Sequence, residues 1–491
     1  MTQPSPAAPA LPAHLQDLAE FVMASPSSYH AAEEVARRLE AHGFTRLDES
    51  EDFPSTPGGY VVVRDGAALA WIIPTTVTVS GEDTDDAAGS APAQPPVFRV
   101  LGAHTDSPGF KLKPHHATLT RDGWQQAGVE IYGGPLLNSW LDRELRFAGR
   151  LALEDGRQVL AATGPVGRIP QLAIHLDREV NAEGLKLQRQ KHTHPVVGAL
   201  PAPGDLDAEA VHDSAAEPDA QALAARLSGD VLAALAEAAG VPRESVRGHD
   251  VVVADAQFPG LFGLDGEFFA SGRLDNLSSV HAGLVELERV AAEHGAEGFA
   301  GTVADGILGE SAGAPVIPML AAFDHEELGS ASRSGAAGPL LEEVLGRVLD
   351  ALGVTGQGVA RSIQGSWLLS SDAGHLVHPN YAERHDPVNH PRVNHGPLLK
   401  INANQRYATD ASGEAAFARW CGVAGVPFQE FVSNNDMPCG STIGPISATR
   451  LGIRTVDVGL GLLSMHSARE MCGVRDVEHL TAAIGAFYSG V

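Results

Sequence analysis

The sequence has no cysteine framework. Its 491 residues hold three cysteines, Cys421, Cys439 and Cys472, an odd number without CxxC spacing. That argues against a disulfide scaffold and against a zinc–thiolate site. Positive charge is also scarce: 34 Lys and Arg stand against 61 Asp and Glu, a net charge of −27. Nucleic acid and anionic membrane surfaces need a basic footprint, so neither is expected as a partner. No stretch approaches about 20 apolar residues free of charge, and no transmembrane helix is expected. The N-terminus has neither a basic n-region nor an apolar h-region, so no signal peptide is expected either. These absences together imply a cytoplasmic protein. Internal repeats and a glycine-rich phosphate loop are missing too.

What is present reads as globular: 44% hydrophobic and 19% charged residues, a chain long enough for two or three domains. Ser28 can cap a helix that runs to about His42, with Ala32, Val35, Ala36 and Leu39 on one face and Gly43 as the stop. Tyr60 to Arg64 and Ala68 to Ile73 read as a hairpin through Asp65-Gly66. Residues 81–96 form an acidic, proline-containing loop. Val97 to Ala103 is a strand that delivers His104 to its carboxyl end. Between 107 and 250 the texture changes to mixed strands and a low-complexity stretch at 201–219, which reads as an inserted domain. The first domain would then comprise 1–106 and 251–491. From Val251 strands and helices alternate again, and Val477, Leu480, Ile484 and Phe487 mark a closing helix. This pattern predicts an α/β sandwich interrupted by a smaller insert, with ligands at the carboxyl ends of strands.

The chemistry concentrates at such ends. Glu326 and Glu327 follow the apolar run Met319 to Phe323. Adjacent carboxylates repel unless a cation lies between or beside them; a metal ion would hold one and leave the other free as a base. His104 is a good zinc ligand, and Asp106 two residues on can accept its other ring N–H. Taken singly, His104-Thr105-Asp106 could be an ordinary surface hydrogen bond. Asp275 could be a helix N-cap, Asp372 a turn residue and His466 a satisfied core histidine. Taken together, His, Asp, Glu-Glu, Asp and His at strand ends make the set a two-zinc hydrolase needs.

The order and the local words resemble the M18 metallopeptidases, the aspartyl aminopeptidase family, over nearly the whole chain. They are Gly102-Ala103-His104-Thr105-Asp106-Ser107-Pro108, Ile169-Pro170-Gln171-Leu172-Ala173-Ile174-His175-Leu176, Arg273-Leu274-Asp275-Asn276 and Phe323-Asp324-His325-Glu326-Glu327-Leu328-Gly329-Ser330. Further on come His378-Pro379-Asn380-Tyr381, Asn404-Gln405-Arg406-Tyr407, Pro438-Cys439-Gly440-Ser441-Thr442-Ile443-Gly444-Pro445 and Met465-His466-Ser467-Ala468-Arg469-Glu470.

The resemblance implies two zinc ions per chain. Asp275 would bridge them, His104 and Asp372 would complete one site, and Glu327 with His466 the other. Glu326 would be the general base and Asp106 would orient His104. Substrate contacts would fall on His175, Glu326, Asp372, His375, Lys400 and Tyr407. Lys400 would recognise an acidic first residue, because a chain of this net charge otherwise repels a carboxylate. Tyr407 would hydrogen-bond the tetrahedral oxyanion. A non-proline cis peptide is implied at Asp275–Asn276. The insert would be a dimerisation domain, dimers would build a tetrahedral dodecamer, and His175 would reach the neighbouring subunit's site.

Two departures from the family pattern stand near the site, His325 where an Asn is common and Ala373 where a Met is. Residues 310–318, rich in proline, look like an addition, as do the acidic loops. Three rivals remain: the same scaffold acting on neutral N-terminal residues, a catalytically idle shell protein, and a di-metal phosphoesterase. The last lacks a basic phosphate cradle.

Overall fold

The computed structural model describes residues 10–77, 94–200, 229–295, 298–303 and 312–491. The low-complexity stretch 201–219, most of the acidic loop 81–96 and the first two residues of the proline-rich stretch 310–318 lie outside them. The chain divides into two units, one of residues 1–106, 259–465 and 470–491, the other of 107–258 and 466–469.

The first unit is built on a nine-stranded sheet. At its centre Val316–Phe323, Val97–His104, Trp367–Ser371 and Arg454–Gly459 run parallel, side by side. Val97–His104 and Val316–Phe323 are buried along their whole length, which is why they read as continuous apolar runs rather than alternating ones. The hairpin Gly58–Arg64 and Ala67–Ile73 flanks them through an antiparallel pairing. One face packs against helices Ala13–Ala24, Ser28–Ala41, Leu274–His294, Ala411–Ala424 and Val474–Tyr488. The other packs against Leu340–Ala351 and Ile443–Leu451. This is the expected α/β sandwich, with helices covering both faces of the sheet. One detail differs: the helix beginning at Ser28 is capped by Ser27, whose side chain accepts from the His30 amide. Ser28 is the first helical residue, so the cap lies one position earlier.

The second unit is a six-stranded sheet in which every pairing is antiparallel. Its core gathers Phe110, Leu112, Phe147 and Val253 with Leu232 and Leu235 of the helix Val231–Ala238. Strand Val246–Asp255 belongs wholly to this sheet, paired with Leu145–Leu153. The unit therefore extends past position 250. The apolar residues 251–254 resemble the start of another α/β strand, but register rather than composition decides which sheet takes them. Among the described residues no helix is long and apolar enough to cross a membrane.

Candidate active site

Register brings the first unit's candidate residues to one edge. Phe323 pairs with His104 and Ser370 with Gly102 across adjacent parallel strands. His104 thus ends its strand level with the start of the Asp324–Glu327 segment on one side and of Asp372 on the other. Asp275 lies in the first turn of the helix Leu274–His294, two residues after the left-handed Arg273 and with non-helical backbone of its own, and its peptide bond to Asn276 is cis, as the resemblance implies. The Asn276 side-chain amide donates to Ser371 O at 2.8 Å, tying this entry to the strand that carries Asp372. Gly66, at the hairpin turn, is required by close approach: a Cβ there would lie 2.3 Å from Asp324 Oδ2 and 2.5 Å from Ser28 Oγ.

His104 is buried. Its Nδ1 lies 3.0 Å from the Asp106 carbonyl oxygen and can only donate to it, so in the neutral imidazole the lone pair falls on Nε2. Nε2 faces Asp275 Oδ1 at 3.3 Å and Asp372 Oδ1 at 3.4 Å without a well-aligned hydrogen bond to either. One ligand atom each from His104, Asp275 and Glu327 lies within 4.8 Å of the others. An imidazole nitrogen and convergent carboxylate oxygens, from buried His104 and Asp275 and half-buried Glu327, fit a zinc-sized dication at their centre. Burying several carboxylates without such charge is costly.

Asp106 does more than face the histidine. Its two carboxylate oxygens accept the amide N–H groups of Glu326 at 3.0 Å and Glu327 at 3.2 Å. One buried side chain thereby fixes the backbone of both glutamates in the short 3-10 turn Glu326–Leu328. Burial first, and then Asp372, Asp106 and Asp275, push the Glu326 carboxyl up to about 7 against the opposing influence of His104. Asp324, buried beneath the turn, accepts the His325 amide at 2.9 Å. His325 has positive φ and directs Nδ1 to Ser332 Oγ at 2.9 Å.

A second cluster lies beside Asp372. Lys400, 1% exposed, donates Nζ to Ala373 O at 2.7 Å, with Asp372 Oδ2 at 3.9 Å. Its ammonium lies 5.3 Å from the centre of the Tyr407 ring. Burial, then the neighbouring Cys439, Asp372 and Asp457, push the Tyr407 phenol far above its ordinary range, so it is an O–H donor. Asp457 is fully buried and accepts the Thr442 hydroxyl and the Ala408 amide, both at 2.6 Å. It anchors the Asn404–Tyr407 and Pro438–Pro445 words to each other. His375 is exposed, on the short strand Gly374–His375.

His175 and His466 belong to the second unit. His466 donates Nδ1–H to Gly134 O at 3.0 Å, which in the neutral imidazole puts the lone pair on Nε2. His175 is exposed in a loop whose Leu172, Ile174 and Leu176 are also exposed. Sequence reasoning assigned no role to Asp324, Asp457 or Glu470, and missed Asp106's hold on the glutamate amides. Asp457 carries a readable signal, a lone charge inside the apolar strand 455–458. Glu470 sits within a quoted word.

Comparison with known proteins agrees with the family resemblance. The model of the aminopeptidase I zinc metalloprotease family (M18) matches residues 21–488. A probable M18 family aminopeptidase 2 of Streptomyces coelicolor is 48% identical over 475 residues, covering 96% of this chain and 97% of the relative. Among solved structures, the complex of Ape4 with Nbr1 matches 97% of this chain and 85% of its own at 33% identity, TM-score 0.81. The mApe1 dodecamer of S. cerevisiae matches 96% and 95% at 26% identity, TM-score 0.75.

Proposed function

The chain belongs to the M18 family of zinc aminopeptidases, hydrolases that act on peptides, and on that premise we propose a two-zinc enzyme that removes acidic N-terminal residues. The observation that carries it is the buried convergence of His104 Nε2 with oxygens of Asp275 and Asp372, and of a Glu327 oxygen with this histidine and Asp275. Asp275, His104 and Asp372 would hold one ion, and Asp275 with Glu327 would hold the other. His466 is assigned to the second ion on the family resemblance. Bound zinc would supply Lewis-acid charge and a water acidic enough to act near neutral pH.

The chain's own groups do the rest. Glu326, its backbone held by Asp106, takes the proton of the attacking water and returns it to the leaving amine. The Tyr407 O–H donates to the oxyanion as charge develops there. Lys400 provides the cation for an acidic side chain, while His375 and His175 are assigned to substrate by resemblance. Lys400's bond to Ala373 O favours one competing reading, in which the lysine is structural and neutral N-terminal residues are accepted.

Metal analysis together with a rate panel over Asp, Glu, Ala, Leu and Lys amides tests the proposal. Two zinc ions per chain and highest kcat/KM for Asp and Glu amides are expected. A flat panel would establish the neutral reading, and a folded, zinc-loaded but inactive chain would establish an idle shell. The proposed assembly is a tetrahedral dodecamer built from dimers. The exposed Leu172, Ile174 and Leu176 beside His175 are suited to burial against a second copy.

A further inference from the structure

The helix Leu274–His294, whose first turn is interrupted by non-helical backbone at Asp275 and Asn276, has no cap of its own: Arg273, at the capping position, is left-handed and supplies no side-chain acceptor. The acceptor comes from elsewhere in the first unit. Strand Phe268–Ser271 pairs antiparallel with Glu470–Gly473, which places Glu470 opposite Ser271. From there Glu470 Oε2 accepts the Asp275 amide N–H at 3.0 Å. Glu470 is 2% exposed and Asp275 3% exposed, so the bond forms away from water, where a charge-assisted acceptor is strongest and its loss most costly.

We propose that Glu470 is a positioning residue of the metal centre, fixing through the Asp275 amide the direction in which the Asp275 carboxylate is presented. Two independent holds act on this entry, Glu470 on the Asp275 amide and Ser371 O on the Asn276 side chain. Between them they define one orientation for the side chain that faces His104. Groups behind the ligands of metal sites commonly change affinity by roughly ten- to a hundredfold when removed. The inference rests on Asp275 being a ligand and adds that its aim depends on a carboxylate nearly two hundred positions later in the chain.

The test is zinc affinity of the full chain, read by equilibrating the zinc-loaded protein against a series of chelator concentrations, with apo-protein melting recorded in parallel. Glu470→Ala should weaken zinc binding by about ten- to a hundredfold, with activity recovering in excess zinc. Glu470→Gln keeps an acceptor of the same reach and should lie within a few-fold of the parent. Glu470→Asp keeps the charge but withdraws the oxygen, and should fall close to Ala, which preserves the test if Ala does not fold. A lowered apo melting temperature with unchanged zinc affinity in both the Ala and Asp variants would overturn the inference, because Glu470 would then serve only the fold. Asp275→Ala is the control for the reading beneath it. If that variant keeps full zinc affinity, Asp275 is not a ligand and the site assignment fails. If it loses zinc while the Glu470 variants keep it, only the positioning role fails.

Discussion

Each unit holds a cluster of charged side chains, and the two clusters are built in opposite ways. In the second, acids meet bases at the half-buried margin of an antiparallel sheet: Asp250 takes Lys111 at 2.8 Å and Arg150 at 3.0 Å. Asp230 there takes His116 at 3.0 Å and Arg243 at 2.8 Å. In the first, carboxylates of Asp275, Asp372, Glu326 and Glu327 gather around one imidazole at the mouth of parallel strands, with a single buried lysine behind Asp372. Paired charges at a margin stabilise the sheet they sit on. Like charges converging in a buried place conflict with stability, and such conflicts mark functional sites.

The sharpest way to break this comparison is at the adjacent glutamates. Glu326→Gln should retain both metals and lose several orders of magnitude in kcat, because a base is removed while the oxygens stay in place. Glu327→Ala should lose metal at one site by elemental analysis. Reversed outcomes would exchange the two roles. Next comes Lys400→Ala, expected to cut kcat/KM for Asp and Glu amides by roughly tenfold to over a hundredfold, as losing a charge-assisted bond of about 1.5–3 kcal/mol implies. Alanyl amides should lose far less. Uniform losses would show that the bond to Ala373 is the lysine's main task.

A subtler break would be chemistry contributed by the second unit. The family resemblance sends His175 into a neighbouring copy's site. Mixing refolded His175→Ala and Glu326→Gln chains, each inactive alone, should then restore up to about a quarter of the sites by random pairing, since exchange across a twofold is reciprocal. No recovery in confirmed mixed dimers would confine His175 to a role within its own chain.

How much of this was legible follows from the same contrast. The parallel strands announced themselves because both their faces are buried, and their ends carry residues that local preference alone does not explain. His104, Asp275 and Glu327 stand in the quoted words, and Asp372 was added as a ligand by what the resemblance implies. What could not be read is what register decides: that strand 246–255 joins the antiparallel sheet, that Asp106 spans two amides, and that Asp457 joins two distant words. Glu470 was visible as a letter in a word, but its bond to Asp275 depends on one strand lying opposite another, and no local pattern encodes that.

The smallest expected effect belongs to the second unit and isolates its paired charge. Asp230 caps the helix Val231–Ala238 by accepting the Leu232 amide at 3.0 Å. Burial tends to raise its carboxyl, but His116 and Arg243 outweigh that and hold it at about 2. A carboxyl lowered by folding contributes stability above its unfolded pKa, about 3.9, and loses that contribution as pH falls through the folded value. Asn is as good a cap as Asp, so Asp230→Asn removes the charge while keeping the bond to Leu232. The parent should therefore be more stable than the Asn variant at pH 6, by about 1 kcal/mol for a partly exposed charged pair. The gap in urea midpoint should shrink as pH falls from about 4 toward about 2, where the parent's carboxyl becomes neutral as well. A gap that stays constant with pH would mean the cap, not the ion pair, carries the residue's contribution, and the second unit's charges would no longer be the stabilising counterpart to those of the first.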